Sequence, residues 1–407
     1  MAGEAQSIQI RRSIGGKPGV RFQGTARGRE KALVSLDILR MVAALLVLSY
    51  HYFFYSWAMQ SSHEPYNIMM RSGISFPEVL SLSWWGWVGV EIFFVISGYV
   101  IASTADNGDA ASFARSRLLR LTPAIFFFST AAYLIVVAMG SITIQEASLL
   151  WLKSLILFPK GPWIDGVLWT LTVEVLFYSI IGVTLHFRGR NGIPRLARVG
   201  AAVVMVFWLA ASIQDRFVAL GHFGEILMLA KKAYFAKYFL ITTGSFFLVG
   251  MISREIGNQG ATPARLAWLF VMVVCSCLSI LTTADQTSAV LVLSQSRYVP
   301  MFVWLSVVLI LGLAIALEPR FQIGDAVRAH CRQIGLLTYP IYLVHFTTGG
   351  WIFAGLVKSG VGKWEGALAT ICVCFVVSYG FNALVEPGLK GLISAWLGRR
   401  RQGLPVT

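Results

Sequence analysis

Apolar runs of roughly bilayer length, separated by short polar connections, dominate this chain. A spanning helix needs about 20 mostly apolar residues. Ten runs meet or approach that length: 33–55, 84–104, 121–140, 167–187, 199–213, 238–253, 265–282, 299–317, 334–355 and 366–386. The fifth and sixth are the shortest. The stretch 148–158 is apolar but only 11 residues long, which suits a re-entrant or interfacial piece. The pattern predicts an all-α, polytopic integral membrane bundle of about 10 transmembrane helices. It divides the chain into a basic, disordered tail (1–32), a transmembrane domain (33–387) and a short basic tail (388–407). The first run follows a 32-residue basic tail, is too long for a signal-peptide core and lacks a small-x-small exit, so no signal peptide is expected. No connection exceeds about 30 residues, so any chemistry belongs inside the bundle or at its faces.

Composition narrows the class further. Of 407 residues, 56% are apolar and 13% charged, and the mean hydropathy is +0.69. A soluble globular chain carries about 25% charge. Soluble multidomain, disordered, collagen-like and disulfide-knot classes are excluded on that ground. The 34 Lys and Arg against 19 Asp and Glu give a net charge of +15, and what matters is where the positives fall. With ten spans, 23 lie on the side of the two termini and 10 on the other, with Arg40 inside a span. That bias places both termini in the cytoplasm; the expected location is the cell inner (cytoplasmic) membrane, multi-pass. Loop 214–237 dissents with Lys231, Lys232 and Lys237, and an interfacial helix at 225–230 accommodates them. Four of the five cysteines form Cys-x-Cys pairs in apolar runs (Cys275/Cys277 and Cys372/Cys374) with no His or carboxylate nearby. They read as small packing residues; no metal site is expected.

Ionisable side chains inside a bilayer cost about 2.5–3.5 kcal/mol on insertion scales, so each is a functional candidate. They are Arg40 and His51 in the first span, Glu91 in the second, Glu174 in the fourth, His345 in the ninth and Glu386 closing the tenth. His186, at a helix end, reads as interfacial. Arg40 and His51 are eleven residues apart on what the pattern predicts is one uninterrupted helix. Eleven residues turn about 1100° and rise about 16.5 Å, so both side chains line one stripe. By depth, His51, Glu91 and Glu174 share one layer, and Arg40 and Glu386 another. Two acids beside a histidine would fix its tautomer. The plainer alternatives are a snorkelling Arg with a core-bonded His, and buried ion pairs that only hold helices together.

The same positions carry a resemblance. Leu36-Asp37-Ile38-Leu39-Arg40, then Ala43, Val47 and His51, resembles the first-helix signature of the membrane-bound acyltransferase-3 family of carbohydrate O-acyltransferases. Gly89 to Ile101 is similar to that family's Gly-Val-acid-x-Phe-Phe-Val-x-Ser-Gly segment. Phe113, Arg117, Arg120 and Pro123 resemble its basic second connection, and Trp169 to Glu174 its Trp-Ser-Leu-x-x-Glu stretch. Thr338-Tyr339, Tyr342-Leu343 and His345 resemble its Ser-Tyr-x-x-Tyr-Leu-x-His helix, and Glu386-Pro387 its closing acid–proline element. The chain departs from the family in its long basic tail, in the missing spacer between Glu386 and Pro387, and in having no esterase-like domain after the tenth span.

The resemblance implies transfer of an acyl group, usually acetyl, from cytoplasmic acyl-CoA to a hydroxyl of a carbohydrate or glycoside. Acyl-CoA is then a co-substrate; no bound cofactor, metal or nucleic acid is implied. His51 would act as general base with Arg40, and Glu174 or Glu91 would orient it. Arg117, Arg120 and Arg40 would hold the coenzyme A phosphates. Trp169, His345 and Glu386 would contact substrate. The competing class is a transporter or glycan flippase without chemistry, which would show related halves and broken helices; neither is read from this sequence. A membrane scaffold leaves buried Arg40 and His51 without a role.

Overall fold

The computed structural model describes residues 33–59, 73–105, 108–217, 221–232, 240–291 and 295–402. The basic tail 1–32 and Lys237 lie outside the described residues. The first helix, α1 (Val34–Tyr50), continues as a π-helical turn at His51–Tyr55 and a last turn at Ser56–Ala58. Two short turns at Pro77–Val79 and Leu80–Ser83 lead into α2 (Val88–Ala105). There follow α3 (Ala110–Met139), α4 (Ile144–Leu155), α5 (Leu168–Arg188), α6 (Ile193–Phe217), α7 (Gly221–Lys232) and α8 (Gly244–Gln259). Then come α9 (Pro263–Leu291), α10 (Val299–Leu317), α11 (Asp325–Val344), α12 (Thr347–Lys358) and α13 (Lys363–Gly380). A second π turn at Phe381–Val385 leads to α14 (Glu386–Gln402). Among the described residues there is no strand.

Among the described residues eight helices are long and apolar enough to cross a membrane, or nine when the pair α11 and α12, bent by 69°, counts as one span. The expected run 238–253 appears as α8, only 16 residues long. The interfacial reading of 148–158 meets a 12-residue helix, α4, begun by a capping box between Thr143 and Glu146. It leaves Ile144, Leu149 and Leu152 exposed. A helix also covers 225–230, as α7.

Helices α2 and α8 form the centre. Thirteen of the 18 residues of α2 are buried, as are eleven consecutive residues of α8, Gly244 to Arg254. A helix apolar all round belongs in an interior. The two backbones touch at Gly98 and Gly250, where an added Cβ would collide with the carbonyl oxygens of Phe247 and Val95. With little hydrophobic force between helices in lipid, such backbone approach supplies the contact. At the periphery, α10 buries only Pro300, Trp304 and Leu311 and exposes Phe302 and Leu309. Glu318 follows it and accepts hydrogen bonds from the Val34 and Ser35 amides, satisfying donors that the start of α1 would otherwise leave open.

Two expectations need correction. The first helix is not uninterrupted: its α geometry ends at Tyr50 and the π turn starts at His51. The ninth run is not one straight helix either, since it breaks at His345–Phe346 between α11 and α12. Pro340 within α11 has no amide hydrogen to give to the carbonyl of Leu336, and Asn382 of the second π turn donates to that carbonyl instead, at 3.2 Å.

Candidate active site

The two irregular turns meet. His51, first residue of the π turn, places Nδ1 2.9 Å from Nε2 of His345, at the break between α11 and α12. A π turn inside an α-helix often marks a functional site. His345 is fully buried, whereas His51 is partly exposed among Tyr50, Tyr55 and Phe346.

The surrounding acceptors settle the tautomers. His345 Nδ1 lies 2.8 Å from the carbonyl oxygen of Tyr342, which accepts and cannot donate. That nitrogen therefore carries the hydrogen. With both rings neutral, His345 Nε2 is an acceptor, and the hydrogen between the rings belongs to His51 Nδ1. His51 Nε2 keeps its lone pair and makes none of these bonds. With both rings neutral, each ring of the pair thus fixes the tautomer of the next.

The break itself is tied from two neighbouring segments. Tyr52 Oη donates to the His345 carbonyl at 2.7 Å. Asp165, in the connection before α5, accepts from the Thr347 amide at 3.2 Å and from the Val167 amide at 3.1 Å. Asp165 is 4% exposed, and burial pushes its carboxyl up to about 6, against the pull of the Thr347 and Val167 hydrogen bonds.

Away from the histidines lies a cavity between α1, α2, α3, α5 and α11. Arg40, Arg117 and Arg120 line one part of it, Thr170 and Tyr342 another, with hydroxyls 2.8 Å apart. Tyr342 is three residues before His345. Arg40 pairs with Asp37 at 2.7 Å. Arg117 lies over the rings of Phe113 and Tyr178, at 5.6 and 5.7 Å, and donates to Thr104 at 3.3 Å. These arginines sit on the first turns of α3, in a stretch read from sequence as a connection, where Asp109 caps the helix through the Ser112 amide at 2.8 Å. A second, wider cavity shares Arg117, Arg120 and Tyr339 as walls and adds Arg115, Arg332, Asn382, Glu386 and Lys390. Glu386 pairs with Lys390 at 2.8 Å, so positive charge prevails there.

The structure sorts the residues singled out from the sequence. The eleven-residue spacing does bring Arg40 and His51 to the same neighbour, α11: Arg40 shares the first cavity with Thr338, Tyr339 and Tyr342, and His51 meets His345. Glu174 lies in that cavity too, its carboxylate accepting from Ser97 at 2.7 Å and from Tyr178. The side chain within hydrogen-bond distance of His51 Nδ1 is His345, expected from the resemblance to be a substrate contact. Glu91 is buried on α2. Trp169 stands edge-on to Phe94, next to the cavity residue Thr170. Sequence reasoning missed Asp165, Tyr52, Ser97 and Tyr178. The i, i+4 spacing of Glu174 and Tyr178 was a usable signal. Asp165 and Tyr52 act across the fold and left none. Among the described residues no group of three or more His, Cys, Asp or Glu could hold a metal ion.

A bundle of membrane-length helices around a buried histidine pair and an arginine-lined cavity defines a multi-pass membrane protein with a polar interior site. The family described as "Acyltransferase domain" (acyltransferase-3) matches residues 33–384, and the chain belongs to it. The chain is 28% identical over 197 residues to "Nodulation protein 10" of Rhizobium leguminosarum bv. viciae, covering 42% of this chain and 48% of that protein. It is 29% identical over 168 residues to "O-acetyl transferase" of Shigella phage Sf6, covering 37% and 45%. It thus spans about half the length of the curated relatives it matches. No solved structure matches it.

Proposed function

We propose that this protein is a membrane O-acyltransferase that moves an acyl group, acetyl by preference, from acyl-CoA to a hydroxyl of a carbohydrate or glycoside. The observation carrying the reading is a cavity lined by Arg40, Arg117, Arg120 and Tyr342, the last three residues from a histidine pair in which, with both rings neutral, His51 Nε2 keeps a lone pair. The arginine end faces the cytoplasm, as the excess of Lys and Arg on the side of the termini supports, in the inner membrane. There Arg117, Arg120 and Arg332 hold the phosphates of coenzyme A, with Arg115 and Lys390 at the rim. The thin pantetheine arm lies along the cavity, past Arg40 and Glu174.

The acceptor hydroxyl donates to His51 Nε2 as its oxygen attacks the thioester carbonyl carbon. The C–O bond forms, the C–S bond breaks, and the departing thiolate takes the proton back from His51. In the transition state His51 carries positive charge, and its Nδ1–H donates more strongly to His345 Nε2. His345 in this scheme orients the base, as the third group does in a nucleophile–base–orienter chain. The broken helix favours one other reading, a transporter, because discontinuous helices frame transport sites.

His51→Asn distinguishes the two. Asn imitates the Nδ1–H donor but takes no proton. We expect normal insertion, unchanged acyl-CoA binding and a fall in transfer of about 10²–10⁴, measured with labelled acyl-CoA and a glycan acceptor in membranes. Turnover within about threefold of wild type would remove His51 from the chemistry.

A further inference from the structure

We propose that Asp165 is a positioning residue for the acyl transfer: from the connection before α5 it fixes the backbone break that presents His345 to His51. The inference rests on the O-acyltransferase reading for its kinetic consequence, though not for its geometry.

The ring of His345 is aimed by its own main chain. Its Nδ1 lies 2.8 Å from the Tyr342 carbonyl and 3.3 Å from the Ile341 carbonyl, both in the last turn of α11 before the break. Beyond the break, α12 begins at Thr347 with no side-chain cap of its own. A helix start leaves several amides without partners, and in an interior each must find one. Asp165 supplies it from 182 residues away, through Oδ2 to the Thr347 amide at 3.2 Å. Its other oxygen takes the Val167 amide at 3.1 Å, which anchors the carboxylate to the segment leading into α5. Thr170, one turn into α5, then bonds Tyr342, so the same segment holds α11 on the near side of the break and α12 on the far side. Tyr52, the residue after His51, reaches the His345 carbonyl between them. Adding a Cβ at Gly349, one turn into α12, would strike the Tyr52 hydroxyl, so little room exists for the break to shift.

Replacing the carboxylate should therefore disturb the direction of the base and not the donor site, which lies toward the arginines. Asp165→Ala leaves the Thr347 amide unbonded. Asp165→Asn keeps one acceptor oxygen but turns an amide group on the second N–H. The test uses the full chain in nanodiscs. For Asp165→Ala we expect kcat to fall about 100-fold with KM for acyl-CoA within about twofold, since small misplacement near the chemistry costs that much. For Asp165→Asn, which is isosteric, we expect recovery to within about tenfold of wild type. A fall in neither variant, or a loss of kcat, donor affinity and thermal stability together in Asp165→Asn, would overturn the proposal. A second readout does not depend on catalysis: in ¹⁵N-histidine spectra His345 should show one Nδ1–H tautomer in the wild type and mixed tautomers in Asp165→Ala. A single unchanged tautomer in Asp165→Ala also overturns it. Should the wild type transfer no acyl group while the spectra behave as stated, the acyltransferase reading fails and the positioning role of Asp165 stands.

Discussion

The two ends of the polar interior are built from opposite materials. At one, Arg115, Arg117, Arg120, Arg332 and Lys390 surround a wide cavity with Glu386 among them, and charge prevails. At the other, two imidazoles, a tyrosine hydroxyl and backbone carbonyls form a narrow chain of neutral groups, beside the Asp165 carboxylate, which is tied to amides. Charges bind a multiply charged ligand at a distance and tolerate loose geometry. A proton passes only between atoms within about 3 Å in fixed orientation. The division suggests that binding and chemistry fail independently, and each expectation below probes one side of it.

After His51 itself, the largest effect belongs to His345. His345→Phe leaves His51 Nδ1–H without its acceptor and frees the ring to turn. Steady-state kinetics should show kcat down by about 10²–10³ with donor KM unchanged. His345→Gln, whose side-chain oxygen still accepts, should recover part of that loss; equal loss in both would assign the effect to packing. Next in size is Arg120, which walls both cavities. Arg120→Ala should raise the KM for acyl-CoA about tenfold, the worth of one charge-assisted contact, at constant kcat and constant protein abundance. A fall in kcat alone would break the comparison. The smallest concerns Glu174. Because its carboxylate accepts from Ser97 and Tyr178, Glu174→Gln should change kcat by no more than about fivefold. A loss equal to that of His345→Phe would return Glu174 to the role of orienter.

The distribution of legible features follows the physics. Lipid demands length and apolarity of any crossing, so the hydropathy pattern marked the helices, and α8 falls short of membrane length because it is a short segment enclosed by protein. The stripe from Arg40 to His51 was legible because helical periodicity links residues eleven apart. The contact between His51 and His345 was not legible. His345 and His51 are separated by 294 positions, and depth alone put Glu91 and Glu174 nearer to His51. The break at His345 hid for a similar reason. Pro340, the local signal, lies five residues earlier, while Asp165 and Tyr52, which hold the break, come from other segments. Asp165 lies in a connection, and its two amide partners, one of them 182 residues away, follow only from the fold.

The central claim is that His51 and His345 act as one device, and a double-mutant cycle tests it most directly. The rates of acyl transfer are measured for His51→Asn, His345→Phe and the double variant under saturating acyl-CoA. Residues that act as a unit are grossly non-additive, so the double variant should lie within about threefold of His51→Asn alone. A double variant slower by the product of the two single losses would mean that the histidines contribute separately and would contradict the account.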